Sequence, residues 1–440
     1  MRAARIHSDR AALETSGGIT TYAALYRRAC AAARALWHRD VCAGDRVALA
    51  LSGEDLVVAL HGCLLIGAVA VPIDLRLPAG DRARRAAGAA STVQAPLDGA
   101  PADRAQPPAR RAPRPALTAR PELTLPRALT LSEPATLMHT SGTTAAPRPV
   151  SLSYENWLWN ALGSALALGL DPQERWLCPM PLAHVGGLSI QIRSAIYGTT
   201  VLLHDRFDTD VVAGALMDRS QRVTLVSLVP TMLSRLLDAG LHEPPTLRWA
   251  LLGGGPIAPA LLQRARDAGV SVAPSYGMTE ACSQIATNGW PLLGVELQIA
   301  HDDELLVRGK TVATGSLAPD GWLHTGDLGA LDQRGRLTII GRKADTIVTG
   351  GENVAPAEVE AVLLEHPAVA DAAVFGRPDP EWGEAIVARV VLRAGSAADG
   401  EALRTHCAER LASFQVPKSI QFAAGLPRSE TGKLQRRELG

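Results

Sequence analysis

The sequence predicts an α/β protein with a large multi-layer N-terminal domain that carries a small β subdomain, followed by a small α+β C-terminal domain. Three observations carry that expectation. The 440 residues exceed what one compact core accommodates. Short apolar runs alternate with helical periodicities through most of the chain. A separate strand-helix-strand-strand-helix pattern begins after Gly341-Arg342, which places the domains at 1–341 and 342–440.

Taken in order, Tyr22 to Arg39 has a helical period and Arg46 to Leu51 reads as a strand. Val57 to Ile73 is apolar enough to suggest a membrane span. It contains His61, Gly62 and Gly67 and ends in Pro72-Ile73-Asp74, so it reads as a buried helix broken at Gly67 that runs into a strand at Ala68 to Val71. From Pro78 to Pro126 the chain is mostly Ala, Pro and Arg, a composition that cannot order itself by burial, and a loose surface excursion is expected.

Strand candidates return at Ala135 to His139, Arg175 to Cys178, Thr200 to Leu203, Val223 to Leu228, Leu247 to Leu252 and Val270 to Ala273, with helical segments between several of them. That alternation implies mostly parallel pairing. Glu304 to Arg308 and Gly329 to Ile340 read as the small β subdomain. The C-terminal pattern is a strand-turn at Thr346 to Glu352, a helix at Pro356 to Glu365, strands at Val369 to Phe375 and Ile386 to Leu392, and a helix at Gly400 to Leu411.

Charge excludes some function classes. Lys plus Arg equals Asp plus Glu at 44 each, so no global field favours nucleic acid or an anionic membrane, and a small-molecule partner is expected. The six cysteines show no C-x-x-C pair and no histidine cluster at metal-ligand spacing. The first residues lack the apolar core of a signal peptide. A cytoplasmic protein is expected, with no membrane insertion; a homo-oligomer is left open.

Five motifs carry chemistry. Thr140-Ser141-Gly142-Thr143-Thr144 follows a strand and offers hydroxyls and closely spaced N–H groups to phosphate oxygens, though a Ser/Thr-rich turn is also an ordinary solvated loop. Gly253-Gly254-Gly255-Pro256 ends a strand where a flat ring can approach backbone, or is a plain tight turn. In Tyr276-Gly277-Met278-Thr279-Glu280 the phenol can stack on a base and the carboxylate can hold Mg²⁺. Asp327 offers two oxygens to a ribose diol and Arg342 a fork of donors, or the two form a surface Arg-Asp pair. Lys433, in Pro427-Arg428-Ser429-Glu430-Thr431-Gly432-Lys433, is one of only four lysines in a chain that otherwise takes its positive charge from arginine. That position favours a compact ammonium.

These motifs, in this order and spacing, resemble the adenylate-forming superfamily of acyl-CoA synthetases, firefly luciferase and peptide-synthetase adenylation domains; Gly341 to Asp345 and Gly350-Gly351-Glu352-Asn353 belong to the same set. The resemblance runs nearly end to end. It implies that a carboxylate attacks the ATP α-phosphorus, releasing pyrophosphate, and that CoA thiolate then attacks the acyl-AMP. Lys433, Arg148 and Mg²⁺ on Glu280 are implied as the sources of positive charge. Thr140 to Thr144, Gly253 to Gly255, Tyr276, Gly277, Thr279, Asp327 and Arg342 are implied to bind ATP. A mobile C-terminal domain is implied, pivoting at Ala344 and bringing Gly350 and Gly351 to the thioester site.

Asn156-Trp157, Gly163 to Leu170 and Pro181-Leu182-Ala183-His184-Val185-Gly186-Gly187 through Gly198 are similar to the o-succinylbenzoate-CoA ligases of menaquinone biosynthesis. His184 is thereby implied to line the acyl pocket and gate the pantetheine channel; a buried imidazole bonded to backbone is the other reading. The substrate's second carboxylate calls for a fixed donor set, with Arg193 first and Ser283 and Gln284 next, while Arg193 facing solvent is the alternative. Another acyl- or aryl-CoA ligase, a carrier-protein-loading adenylation enzyme and a non-catalytic binding protein remain rivals. The phosphate loop departs from the family's Gly-x-Pro-Lys-Gly in having Ala145-Ala146-Pro147-Arg148-Pro149.

Overall fold

The computed structural model describes residues 2–97, 125–140, 148–428 and 434–439. The larger domain is built on two sheets. One has five strands in the order Ser91–Val93, Arg46–Leu49, Val69–Pro72, Pro134–His139 and Pro149–Ser153; only the last pair is antiparallel. The other has nine, with Trp249–Leu252, Leu225–Leu228, Arg175–Cys178 and Thr200–Leu203 running parallel at its centre. Most of these central residues are buried, which is why they read as unbroken apolar runs rather than alternating ones.

The helices Tyr22–His38 and Gly53–Ile66 pack closely because small residues face each other: a Cβ on Gly62 would lie 2.8 Å from that of Ala32. The second helix stops at Gly67, whose φ of 74° suits glycine, and the buried strand Val69–Pro72 follows as expected.

The expectation that Pro78 to Pro126 is too poor in apolar residues to order by burial is overturned for its first part. A helix at Ala79–Ala86 leads to Ser91–Val93, which pairs with Arg46–Leu49, and Val93 and Leu97 are buried. A free strand edge and two apolar side chains suffice where overall composition does not. Residues 98–124 lie outside the described set.

The small β subdomain is the antiparallel sheet Val295–Ile299, Glu304–Gly309, Leu323–Leu331 and Leu337–Arg342. Beyond it a separate core centres on Val359, Leu363, Val374, Ala388 and Leu403. It is covered by the helices Pro356–Glu365 and Gly400–Ala408 and a five-stranded sheet. That sheet includes Ser419–Phe422, a strand the sequence reading lacks because it is short and only part-buried. Helix Pro356–Glu365 lies against strand Leu337–Arg342 and helix Pro259–Asp267 of the larger domain. Among the described residues no helix is long and apolar enough to cross a membrane.

Candidate active site

Three residues named from separate motifs converge. Tyr276, on strand Val272–Met278, donates its hydroxyl to Asp327 Oδ2 at 2.6 Å, and Arg342 Nε lies 2.8 Å from Asp327 Oδ1. Asp327 and Arg342 face each other because they are register partners on adjacent antiparallel strands. Burial pushes the Tyr276 phenol well above its usual range, and the Asp327 carboxylate adds to the shift, so the hydroxyl stays a donor. Gly326, at φ 69°, turns the chain so that its N–H reaches Glu304 Oε1 at 2.8 Å. The Arg-Asp pair is real, but Asp327 is 5% exposed, so it is no surface turn.

The backbone around Tyr276 admits no side chain at two points. A Cβ on Gly277 would fall 1.7 Å from the Ser283 carbonyl oxygen, and one on Gly253 would fall 2.8 Å from that of Ser275. The chain then turns through Thr279–Ala281 into two consecutive non-glycine residues with positive φ, Cys282 at 56° and Ser283 at 92°. Strain of this kind persists only where surrounding structure fixes it. It sets Glu280 on a tight turn whose backbone oxygen accepts from Ala313 N at 2.8 Å. Among the described residues nothing pairs with the part-buried Glu280 carboxylate, and no group of three or more His, Cys, Asp or Glu could hold a metal. One unpaired carboxylate fits Mg²⁺, which takes few protein ligands and completes its shell with phosphate and water.

The Thr140 loop is closed at its neck by Thr140 N donating to Arg148 O at 3.0 Å, and Arg148 N to Thr140 Oγ1 at 3.3 Å. Ser141, Gly142, Thr143, Thr144 and Ala145 lie outside the described residues; Arg148 is exposed. Lys433 also lies outside them. Its segment is held on both flanks: Arg428 bridges to Leu434 and binds Asp371, and Gln435 N donates to Pro427 O at 2.9 Å.

His184 sits at the N-cap of helix Val185–Tyr197. Its Nε2 is 3.1 Å from Asp74 Oδ2, so the expected alternative of an imidazole bonded to backbone is not what the fold shows. Arg193, nine residues further on, is 1% exposed, which overturns the solvent-facing alternative. Its Nε and Nη2 donate to Asn160 Oδ1 at 3.1 and 2.5 Å, and its guanidinium carbon lies 5.8 Å from the centroid of the Trp176 ring. No described acid pairs with it. Asn160 Nδ2 in turn donates to Gln284 O at 3.2 Å, while Gln284 Oε1 is buried without a partner. Asp74 and Asn160 escaped the sequence reading because their contacts join residues far apart in the chain. The available signal was an acid at the carboxyl end of a parallel strand, where ligand sites of α/β sheets collect.

Ala344 lies in a single turn, Lys343–Asp345, held by Lys343 Nζ on Asp302 Oδ2 at 2.5 Å and Glu304 Oε2 at 3.0 Å. Gly350 and Gly351 have φ of 59° and 85°; Gly350 N donates to Trp382 O at 2.8 Å, and a Cβ there would press on the Trp382 ring at 3.1 Å.

Comparison with known proteins finds relatives along nearly the whole chain. Residues 1–317 match the AMP-binding enzyme family and residues 358–433 the AMP-binding enzyme C-terminal domain. A 2-succinylbenzoate--CoA ligase of Bacillus licheniformis is 38% identical over 99% of this chain and 98% of its own. The o-succinylbenzoate CoA synthetase of Bacillus subtilis, solved with the acyl-adenylate intermediate, superposes with a TM-score of 0.87 at 34% identity, covering 100% of this chain and 97% of that one. The same enzyme with ATP and magnesium ion gives 0.86, also at 34%, covering 100% and 98%. The chain belongs to the AMP-binding enzyme family.

Proposed function

We propose that this protein is an ATP- and Mg²⁺-dependent acid-thiol ligase that converts 2-succinylbenzoate to its CoA thioester by way of an acyl-adenylate. The observation that carries the choice of acid is Arg193. A buried cation whose described partners are an amide oxygen and an indole ring is costly, and a substrate whose second carboxylate is not activated supplies the missing charge. Gln284 and Ser283, joined to the same region through Asn160, offer further polar contacts to it. The full-length likeness to 2-succinylbenzoate--CoA ligases supports the same choice.

The nucleotide lies between Gly253, Gly254 and Gly255 and the Tyr276-Gly277 segment, with Thr279 nearby and Asp327 and Arg342 toward its ribose. Thr140 to Thr144 and Arg148 are the groups we assign to the phosphates. Bringing a carboxylate against a polyphosphate demands charge neutralisation. Arg148 and Lys433 supply it from the protein, and Mg²⁺ on Glu280 would neutralise phosphate oxygens. The domains meet at Gly341-Arg342. Rotation at Ala344 then exchanges Lys433 for the Gly350-Gly351 loop, which admits pantetheine past His184. The six free cysteines fit a reducing compartment, and we place the protein in the cytoplasm.

The test is pyrophosphate release with ATP, Mg²⁺ and a panel of carboxylic acids, with and without CoA. 2-Succinylbenzoate should turn over fastest, with AMP and a CoA thioester as products. Faster turnover of benzoate or a fatty acid overturns the substrate.

A further inference from the structure

Asp74 and His184 approach from different sheets. Asp74 lies two residues past strand Val69–Pro72 of the five-stranded sheet, whereas His184 caps the helix that follows strand Arg175–Cys178 of the nine-stranded one. Asp74 is 7% exposed and both of its oxygens are engaged. Oδ1 accepts from Arg76 N at 3.1 Å and Arg76 Nε at 2.9 Å; Oδ2 accepts from Arg76 Nη2 at 2.6 Å and faces His184 Nε2 at 3.1 Å. Burial alone would raise the Asp74 pKa, but the bonds from Arg76 and His184 outweigh it and hold the carboxyl well below its usual range.

An ionised carboxylate only accepts, so the Nε2 to Oδ2 contact requires Nε2 to carry the proton. Arg76 Nη2, 3.2 Å from the same ring nitrogen, is also a donor, and the two N–H groups converge on Oδ2 instead of bonding to each other. In the neutral ring the lone pair is then on Nδ1, which no described residue hydrogen-bonds.

We propose that Asp74, clamped by Arg76, is a positioning residue that holds His184 in its Nε2–H form and leaves Nδ1 as the acceptor in the acyl-transfer site. What the acceptor does rests on the ligase reading above; the form of the ring does not. In the second half-reaction the thiol proton of CoA passes to Nδ1 as sulfur bonds to the acyl carbon. The bond from that carbon to the AMP oxygen breaks, and its electron pair leaves on AMP. Asp74 keeps the ring aimed while it is protonated, the part an orienting carboxylate plays beside other catalytic histidines.

The substrate-free test is the ¹⁵N spectrum of the histidine rings, with His184 assigned by its loss in His184→Ala. The expected signal is the Nε2–H tautomer in the unsubstituted protein and a mixture in Asp74→Ala. An Nδ1–H ring in the unsubstituted protein overturns the proposal without touching the ligase reading. The kinetic test is thioester formation from supplied acyl-AMP. Asp74→Ala should slow it by about 10-fold or more, a part of the roughly 10²- to 10⁴-fold that a positioned base supplies, and Asp74→Asn, which keeps an acceptor oxygen, should recover part of the loss. Adding Asp74→Ala to His184→Ala should cost nothing further; independent, multiplying losses would show that Asp74 does not act through His184.

Discussion

A fully buried arginine whose described partners are an amide oxygen and an indole face is an unfinished electrostatic arrangement. In the ligase reading its completion is the substrate's spare carboxylate. Arg193→Ala should therefore raise the KM for 2-succinylbenzoate by roughly 10- to 100-fold, the scale of a lost hydrogen bond to a charged group, about 1.5–3 kcal/mol, while the KM for ATP stays within about twofold. Steady-state kinetics with each substrate varied in turn decides it, and equal rises in both would make Arg193 a folding residue. Residues of this kind were legible to different depths. Tyr276, Asp327, Arg342 and Glu280 were readable because each sits in a short motif whose local backbone already constrains the side chain. Asp74 and Asn160 were not, because their partners His184 and Arg193 lie 110 and 33 residues away, and only the folded chain brings them within hydrogen-bond distance.

The decisive element is the single turn Lys343–Asp345, which carries the chain out of the small β subdomain. Two carboxylates grip Lys343 on one side, and on the other Arg436 holds Asp345 at 3.2 Å and also reaches Glu360. The flanks are thus anchored, and the pivot proposed above falls on the residue between them. Ala344→Pro should fix φ there and bias Lys343 toward extended values. One domain orientation would be trapped, with acyl-AMP formation surviving and thioester formation lost. Single-turnover acyl-AMP formation, measured beside thioester formation from supplied acyl-AMP, checks this; near-normal rates in both would remove Ala344 as the pivot. Elements with strong periodicity, such as Tyr22–His38 and Pro356–Glu365, were visible in the sequence almost to the residue. Strands Ser91–Val93 and Ser419–Phe422 were not, since a three- or four-residue strand is defined by the neighbour it pairs with more than by its own pattern.

Across the whole molecule, the carboxyl ends of two sheets supply Asp74, Thr140, Gly253 and the turn before His184, while the small β subdomain supplies Asp327 and Arg342 at the point where the chain leaves for the C-terminal domain. The sequence conveyed the layering and the order of motifs. It did not convey that residues following separate sheets touch, because strand order is a property of the assembled sheet. In the proposed reaction the two half-reactions use different faces of the smaller domain, and Lys433 is the residue that distinguishes them. In the ligase reading its ammonium acts on charge that develops at the phosphates, and thioester formation has no need of it. Lys433→Ala should reduce acyl-AMP formation by roughly 100-fold or more, the scale of removing one preorganised donor to a developing charge. CoA attack on supplied acyl-AMP should stay within a few fold. Lys433→Arg keeps the charge but replaces a compact ammonium with a planar fork, so it should restore only part of the adenylation rate. Pyrophosphate release and thioester formation measured on the same preparations give both numbers. If the two halves fall together in Lys433→Ala, the lysine supports the fold of its segment, and the assignment of one face to each half-reaction fails with it.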